Sequence, residues 1–407
     1  MAGIIRDALP HAAQSVLETD ESVEVSVVMP CLNESDTLDL CIVKTQAAFS
    51  KHNIIGEIIV ADNGSTDNSR EIATRLGARV VTVLEKGYGN ALMGGIAAAR
   101  GKYLLIGDAD DSYDFGEIPK FIEKLREGFD LVQGCRLPSG GGTVKPGAMP
   151  FLHYWWGNPM FSFMARNMFR APIHDICCGM RGFTKIHYER LDLRCTGMEF
   201  ANEMIIKSSL FGGHIDEIPI TLWPDGRKSH PPHLKTFRDG WRTLRFYMLY
   251  SPKWLFMGPG IGMIAFGLLG YALAMPGCRI SGVTLDVHTV LCSSLALLMG
   301  FQSVLFAVFA KVFAISERLL PADPRLDWLF KVLPLERALI LSVLMFLAGC
   351  MLLVVAVGEW HNVGFGALNY EHTMRMVIPG VTLAALGFQS FMSSWFVSIL
   401  TMQKKRP

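Results

Sequence analysis

The sequence predicts an α/β domain with a Rossmann-like, mostly parallel sheet, followed by one interfacial helix and four transmembrane helices. Two observations carry this. Between residues 23 and 134, short β-rich apolar runs alternate with helical patterns, the signature of a parallel sheet covered on both faces. From residue 254 onward the charge thins out: 17 of the last 154 residues are charged, or 11%, against 23% of the first 253. Half of the chain is hydrophobic and 18% is charged, which excludes disorder, collagen and coiled coil. With 38 bases against 37 acids there is no basic field, so no nucleic-acid partner is expected.

Residues 1–22 (MAGIIRDALPHAAQSVLETDES) contain no apolar core of signal-peptide length and read as a flexible lead. The α/β domain spans residues 23–235. Val23–Met29 reads as a strand and Leu38–Lys51 as a helix. Glu57–Ala61, Arg79–Val83, Tyr103–Gly107 and Leu131–Gly134 read as further strands. Asn68–Leu76, the Ala-rich Asn90–Ala99 and Gly116–Arg126 are the helices between them. A parallel sheet built this way binds ligands beyond the carboxyl ends of its strands.

Residues 236–253 form an amphipathic segment. Phe237, Trp241, Leu244 and Met248 recur at helical spacing, and Arg238, Arg242 and Arg245 lie away from them. This predicts a helix in the headgroup region, with a helix packed on the α/β domain as the alternative. Residues 254–407 are the membrane domain. Leu255–Met275, Val287–Ala310, Ala338–Val357 and Met376–Met402 contain no Asp, Glu, Lys or Arg, and each reaches the roughly 20 residues that span a bilayer. The loop between the second and third spans, with its margins, carries Lys311, Arg318, Arg325, Lys331 and Arg337, and the tail carries Lys404, Lys405 and Arg406. The two other loops carry one base each, Arg279 and Arg375. The positive-inside rule therefore places the α/β domain and the C-terminus in the cytoplasm, at the plasma membrane in a bacterium. Nine cysteines without paired metal spacing read as reduced and packed.

Polar clusters follow four successive strands: Pro30-Cys-Leu-Asn33-Glu34, Asp62-Asn-Gly-Ser-Thr-Asp67, Lys86-Gly-Tyr-Gly-Asn90 and Asp108-Ala-Asp110-Asp111. Asp108 and Asp110, one residue apart after a strand, suit a hard divalent cation. Mg²⁺ and Mn²⁺ prefer oxygen ligands, and Mg²⁺ usually takes one or two carboxylates plus substrate phosphates. Asp62 is a candidate acceptor for a nucleotide base or ribose. Ser65 and Asp67 read first as N-caps of the next helix. Gly87-Tyr88-Gly89 reads either as a close-approach turn near a nucleotide or as an ordinary turn.

Val28-Met-Pro-Cys-Leu-Asn33-Glu34, Ala61-Asp62-Asn-Gly-Ser-Thr-Asp67 and Asp108-Ala-Asp110 together resemble family 2 glycosyltransferases of the GT-A fold. Gly140-Gly-Gly142, His174-Asp175-Ile-Cys-Cys-Gly179-Met-Arg181-Gly-Phe183 and Ser251-Pro-Lys-Trp254 resemble the polyprenyl-phosphate branch, which includes dolichyl-phosphate mannose synthases and bactoprenol glucosyl transferases. The resemblance covers residues 23–254. It implies that Pro30, Glu34, Asp62 and Lys86 bind the donor together with Asp108 and Asp110. Asp108 and Asp110 would hold Mg²⁺ or Mn²⁺, and Asp110 and Asp175 would be catalytic. Arg136, Arg227 and Ser229 would meet the lipid phosphate. The implied reaction moves a hexose with inversion from a nucleotide-diphosphate sugar, UDP-glucose first and GDP-mannose behind it, to polyprenyl phosphate at the cytoplasmic face. A homo-oligomer is compatible with the sequence. The chain departs from the common pattern at Asn63, where an Asp is usual, and at Ser229-His-Pro-Pro232, where Ser-Lys-Leu is frequent. The alternatives are transfer to another lipid such as diacylglycerol, and a non-catalytic membrane scaffold. The four spans match no one membrane arrangement of the family.

Arg227 and Lys228 also read as solvated loop charges. Glu203 and Lys207 read as a helix-surface pair at i, i+4, with a part for Glu199 or Glu203 in sugar recognition as the lesser reading. His230 and His233 read as loop, and Gln302 and Gln389 as polar glue between spans.

Overall fold

A computed structural model describes residues 23–229, 235–280 and 282–402. The expected lead at 1–22, the prolines and histidines at 230–234 and the basic tail from Gln403 lie outside the described residues. The chain divides into two units at Tyr247 and Met248.

The first unit begins with β1 (Val25–Cys31), whose sequence VSVVMPC is buried at six of its seven positions. A strand with no polar face has to be covered on both sides. Helix α1 (Leu38–Lys51) leads to β2 (Gly56–Asp62), α2 (Ser69–Arg75) to β3 (Arg79–Thr82), and α3 (Tyr88–Ala98) to β4 (Tyr103–Ile106). A single 3₁₀ turn precedes α4 (Ile118–Arg126), and β5 (Leu131–Cys135) follows. Short β6 (Thr143–Val144) comes next, then a π-helical turn at His153–Gly157, α5 (Asn158–Phe169), β7 (Arg181–Thr184), α6 (Lys185–Leu191) and α7 (Phe200–Leu210). After them come β8 (Ile215–Pro219), β9 (Thr221–Leu222) and α8 (Thr236–Tyr250).

The main sheet has seven strands in the order β3-β2-β1-β4-β7-β5-β8. The sheet is mostly parallel, as the sequence implies, with one strand that it did not reveal: β7 runs antiparallel to both β4 and β5. It separates the fourth and fifth parallel strands and was invisible at four residues (RGFT) without alternation. Val28 of β1 pairs with Ile106 at the end of β4, whereas β2 continues to the Pro30–Ala61 and Cys31–Asp62 pairs. Pro30 therefore sits where one neighbour has already left, a position that tolerates its missing N–H. The gap beyond Ile106 is the crevice into which the strand ends open.

Helix α7 carries a correction. Glu203 and Lys207 are not on its surface: both side chains are fully buried, 3.0 Å apart. The core of the first unit buries Leu38, Cys41 and Ile42 of α1 and Ile118, Phe121, Ile122 and Leu125 of α4 against the strands.

The second unit contains α9 (Gly258–Ala274), entered through a π-helical turn at Lys253–Met257, and the short β10 (Arg279–Ile280) and β11 (Val283–Thr284). It continues with α10 (Val287–Ser316), α11 (Pro324–Val332), α12 (Leu335–Asn362) and α13 (Tyr370–Thr401). Four helical segments are long and apolar enough to cross a membrane: Lys253–Ala274, Val287–Ser316, Leu335–Asn362 and Tyr370–Thr401. They extend the charge-free runs at one or both ends, because the polar residues that flank a span continue the helix. Small residues set their packing. A Cβ at Gly300 would lie 2.7 Å from the Gly260 carbonyl, and one at Gly387 would lie 2.5 Å from the backbone of Phe346. Pro379 lies inside α13, which a membrane helix accommodates better than a soluble one.

Candidate active site

At the end of β1 the chain turns through Asn33, at φ 60°, and buries Glu34. The Glu34 backbone N–H donates to Ser69 Oγ at 2.9 Å. Its carboxylate accepts two bonds from Arg227, from Nε at 2.7 Å and Nη2 at 2.8 Å. Such a fork fixes the guanidinium in direction as well as distance. Arg227 also reaches Asp225, at 2.8 Å, and Asp110, at 3.3 Å. Burial alone would lower its pKa, but these carboxylates hold it above the ordinary value. Lys228 and Ser229 present their N–H groups to Asp36 at 2.9 and 2.8 Å. The residues expected at an acceptor phosphate thus fold back over the start of α1.

At the end of β2, Asp62 accepts from Ser65 N–H at 3.0 Å, Gly64 N–H at 3.2 Å and Arg70 Nε at 2.7 Å. Burial raises its pKa, and these donors outweigh that and hold it below the usual carboxylate range. Ser65 does not cap α2, whose N-cap is Asn68. Its hydroxyl accepts from Asn33 N–H at 2.9 Å. Asp67 divides its oxygens between Ser35 N–H at 3.0 Å and Ser69 N–H at 3.1 Å, so it steadies the helix start and ties it to the β1 loop. Asn63 explains the departure from the usual Asp. Its amide donates to the carbonyls of Val83, at 3.0 Å, and Glu85, at 2.8 Å, and its oxygen accepts from Gly87 N–H at 2.8 Å. A carboxylate makes the last bond but neither of the first two. Lys86 donates to the Asn63 carbonyl at 2.6 Å.

Gly87, at φ 139°, and Gly89 let α3 begin against the backbone of Cys195 and Thr196, which a Cβ at either position would strike. The close approach anticipated for this turn is therefore to the chain's own backbone. It positions Tyr88, whose hydroxyl donates to Asp108 Oδ1 at 2.9 Å.

At the end of β4, loss of water and then the neighbouring charge of Asp110 push Asp108 up to about 6. Among the described residues Asp108 has no ion-pair partner. Asp110 accepts from Ser112 N–H at 3.0 Å and Ser112 Oγ at 2.6 Å. A buried carboxylate whose proton affinity is raised by a second carboxylate two residues on is a fit for a divalent cation. Among the described residues no group of three or more His, Cys, Asp or Glu is set to hold a metal. A cation here would rest on Asp108 and Asp110, with the remaining coordination left to substrate oxygens and water, as Mg²⁺ usually arranges it.

Asp175 and Arg136, expected as separate functional residues, are each other's partner. Asp175 is fully buried. Its Oδ2 accepts from Arg136 N–H at 3.0 Å and Nε at 2.7 Å, and its Oδ1 accepts from Nη2 at 2.9 Å. Burial would lower the Arg136 pKa, and Asp175 outweighs it and holds the guanidinium charged.

Four residues of the site escaped sequence reasoning. Tyr88 was visible only as the middle of a glycine turn. The Tyr113 hydroxyl accepts from Gly179 N–H at 2.8 Å and lies 3.4 Å from Arg136. Glu217 of β8 accepts from the N–H groups of His174 and Asp175, each at 2.9 Å. Gln133 donates to the carbonyls of Asp175 and Cys178 at 3.1 and 3.0 Å. All four act on partners 20 to 66 positions away, and no local pattern signals that.

Residues 26–191 match the pattern of glycosyl transferase family 2, and residues 308–401 match the glycosyltransferase family 2 C-terminal transmembrane region. The second match corrects one expectation: the resemblance does not stop at residue 254 but takes in residues 308–401 of the membrane half. The low-salt glycan biosynthesis hexosyltransferase Agl6 of Haloferax volcanii is 37% identical over 362 residues, covering 88% of this chain and 86% of that protein. A dolichyl-phosphate hexose transferase of the same organism is 29% identical over 198 residues, or 48% of this chain and 82% of that protein. Among solved structures, glucosyl-3-phosphoglycerate synthase of Mycobacterium tuberculosis aligns with a TM-score of 0.45 at 20% identity, over 57% of this chain and 80% of that one.

Proposed function

The chain belongs to glycosyltransferase family 2 as a membrane hexosyltransferase, and from that premise we propose that it transfers a hexose from a nucleotide-diphosphate sugar to polyprenyl phosphate at the cytoplasmic membrane face. UDP-glucose is the favoured donor. The observation that carries this reading is the Asp108–Asp110 pair at the open end of β4, facing Arg227 and Glu34, in a chain whose remaining length is membrane helix. The kinship with a dolichyl-phosphate hexose transferase supports the acceptor class.

A lipid phosphate monoester has a second pKa of about 6, so it is largely dianionic at pH 7 and already nucleophilic. One of its oxygens forms the new bond to the anomeric carbon as the bond from that carbon to the departing nucleoside diphosphate breaks, with inversion. A divalent ion held by Asp108 and Asp110 would neutralise charge on that leaving group. Glu34 and Asp62 line the donor side, with Lys86 behind them. Arg227 meets phosphate by giving up its contact with Asp110. Asp175, with both oxygens on Arg136, is a positioning residue that aims the guanidinium, and Arg136 and Ser229 complete the acceptor side.

The diacylglycerol alternative requires a general base to take the alcohol's proton. Both Asp175 oxygens already accept from a guanidinium that stays charged, which favours the phosphate acceptor. The test is a panel of radiolabelled nucleotide sugars incubated with membranes containing the protein and either polyprenyl phosphate or diacylglycerol. Label is expected in polyprenyl phosphate from a UDP-hexose. Label in diacylglycerol alone overturns the acceptor, and no labelled lipid from any donor overturns the reading.

A further inference from the structure

Past Arg136 the chain folds back on its own strand end. Gly142 lies so close to Cys135 and Arg136 that a Cβ there would strike their backbone. From this point β6 runs parallel to β9, pairing Thr143 with Thr221 and Val144 with Leu222. The Lys145 N–H extends the ladder to the Leu222 carbonyl at 3.0 Å. The other side of β9 meets the loop after β4. Tyr113 bridges Leu222, the Trp223 N–H donates to the Ser112 carbonyl at 2.9 Å, and the Gly226 N–H donates to the Asp110 carbonyl at 3.0 Å. The two-stranded ribbon therefore joins the end of β5, with Arg136, to the loop that carries Asp110.

Lys145 is held on this ribbon by an aromatic contact: its Nζ lies over the Trp223 ring, 4.9 Å from the centroid. The indole attracts the cation through its π face and takes up none of the three N–H donors in a hydrogen bond. Among the described residues no carboxylate pairs with this ammonium. The guanidiniums nearby are engaged, Arg136 by Asp175 and Arg227 by Glu34 and Asp225, so each brings carboxylate charge with it to an anion. Lys145 brings a positive charge that no acid offsets, and a lysine ammonium binds phosphate as a compact point charge. We propose that Lys145 is a further phosphate-binding residue, aimed by Trp223, and that it contacts the phosphate of the lipid acceptor. The strands favour that side: β5 and β8 lead into the ribbon, whereas Glu34, Asp62 and Lys86 follow β1, β2 and β3. The assignment rests on the function proposed above. A donor diphosphate offers the same oxygens, and the test separates the two.

The test is steady-state kinetics of the full-length protein in membranes, with polyprenyl phosphate and the nucleotide sugar that the wild type uses. Lys145→Met should raise KM for polyprenyl phosphate about tenfold or more, the loss of one charge-assisted contact, and leave KM for the nucleotide sugar and the Tm unchanged. Lys145→Arg keeps a cation over the indole and should recover most of the affinity. Trp223→Leu keeps the ammonium but removes its platform, and should raise the same KM by a smaller factor. A rise confined to the donor KM moves Lys145 to the diphosphate and overturns the proposal. Unchanged constants, a fall in kcat alone, or a lowered Tm with no recovery in Lys145→Arg overturn it as well. A wild type that transfers to no polyprenyl phosphate overturns the proposed function and this role with it. A wild type that transfers, matched by its Lys145→Met variant, overturns this role alone.

Discussion

Asn63 shows how a motif departure becomes a structural statement. Its amide joins the ends of β2 and β3 by donating to Val83 and Glu85, so Asn63→Asp removes two donors and sets a carboxylate against two carbonyls. A typical hydrogen bond contributes about 0.5–1.5 kcal/mol net, and with two of them lost thermal unfolding should show a lowered Tm. An unchanged Tm would mean that these bonds contribute nothing. At the end of β4 the expected effect is on chemistry instead. Asp108→Asn and Asp110→Asn preserve side-chain volume but remove the charges that suit a cation, so transfer should vanish while the unfolding curve stays near wild type. EDTA should have the same effect, reversed by Mg²⁺ or Mn²⁺, and full activity in EDTA would reject the metal. Asp175→Asn should differ from both. It leaves Arg136 charged in a closed pocket, and breaking a buried pair costs about 3–5 kcal/mol, so instability should accompany the lost activity. A variant as stable as wild type yet inactive would return Asp175 to the role of base. The carboxylates themselves were legible as residues that follow strands, whereas the Arg136–Asp175 fork was not. It joins residues 39 positions apart, and sequence reasoning had assigned them to different tasks.

The elements were legible where a period ran long enough. Helix α1 has the predicted bounds, and β1 to β5 lie within two residues of expectation at each end, because runs of apolar residues bounded by Gly, Asn and Asp leave few alternatives. What failed was the reading of charge on α7. Glu–Lys at i, i+4 usually marks a solvated face, but Glu203 Oε2 accepts from the N–H groups of Arg194 and Cys195 at 2.9 and 2.8 Å, and Lys207 donates to the Asp192 carbonyl at 2.6 Å. The pair anchors the 192–196 loop, and that loop braces the glycine turn carrying Tyr88. Burial raises the Glu203 pKa, but Lys207 and the two N–H groups outweigh it, leaving the carboxyl below its ordinary value. A depressed folded pKa stabilises the protein above the unfolded value, about 4.3 for Glu, and this stabilisation is lost as pH falls toward the folded value. Glu203→Gln should therefore lower stability at pH 7 and flatten its acid dependence below about pH 5. Denaturant unfolding at both pH values checks this, and parallel wild-type and variant curves would remove Glu203 from the acid response.

At the scale of the whole molecule, function depends on which side of the membrane the crevice faces. A nucleotide sugar is a cytosolic metabolite, so the proposed reaction requires a cytosolic α/β domain, and the Lys and Arg distribution points the same way. Four spans then return the C-terminus to that side. Cys278, between α9 and β10, falls in the first outer loop of this arrangement. Of the other cysteines, those of the catalytic domain would face the cytosol, beyond an impermeant reagent. Several are also poor nucleophiles, since burial pushes Cys31 up to about 11 and Cys177 and Cys178 up to about 12. Cys292 and Cys350 lie within α10 and α12 and are the two to replace by serine. In that background a membrane-impermeant maleimide added to intact cells should label Cys278, and Cys278→Ser should abolish the signal. With Cys278 also replaced, Gln403→Cys should be labelled only after the membrane is broken. Labelling of the Gln403→Cys variant in intact cells would make the number of crossings odd. One of the four apolar helices would then lie on or beneath the bilayer, and α9, which begins in a π-helical turn and has the shortest span at 22 residues, is the first to re-examine.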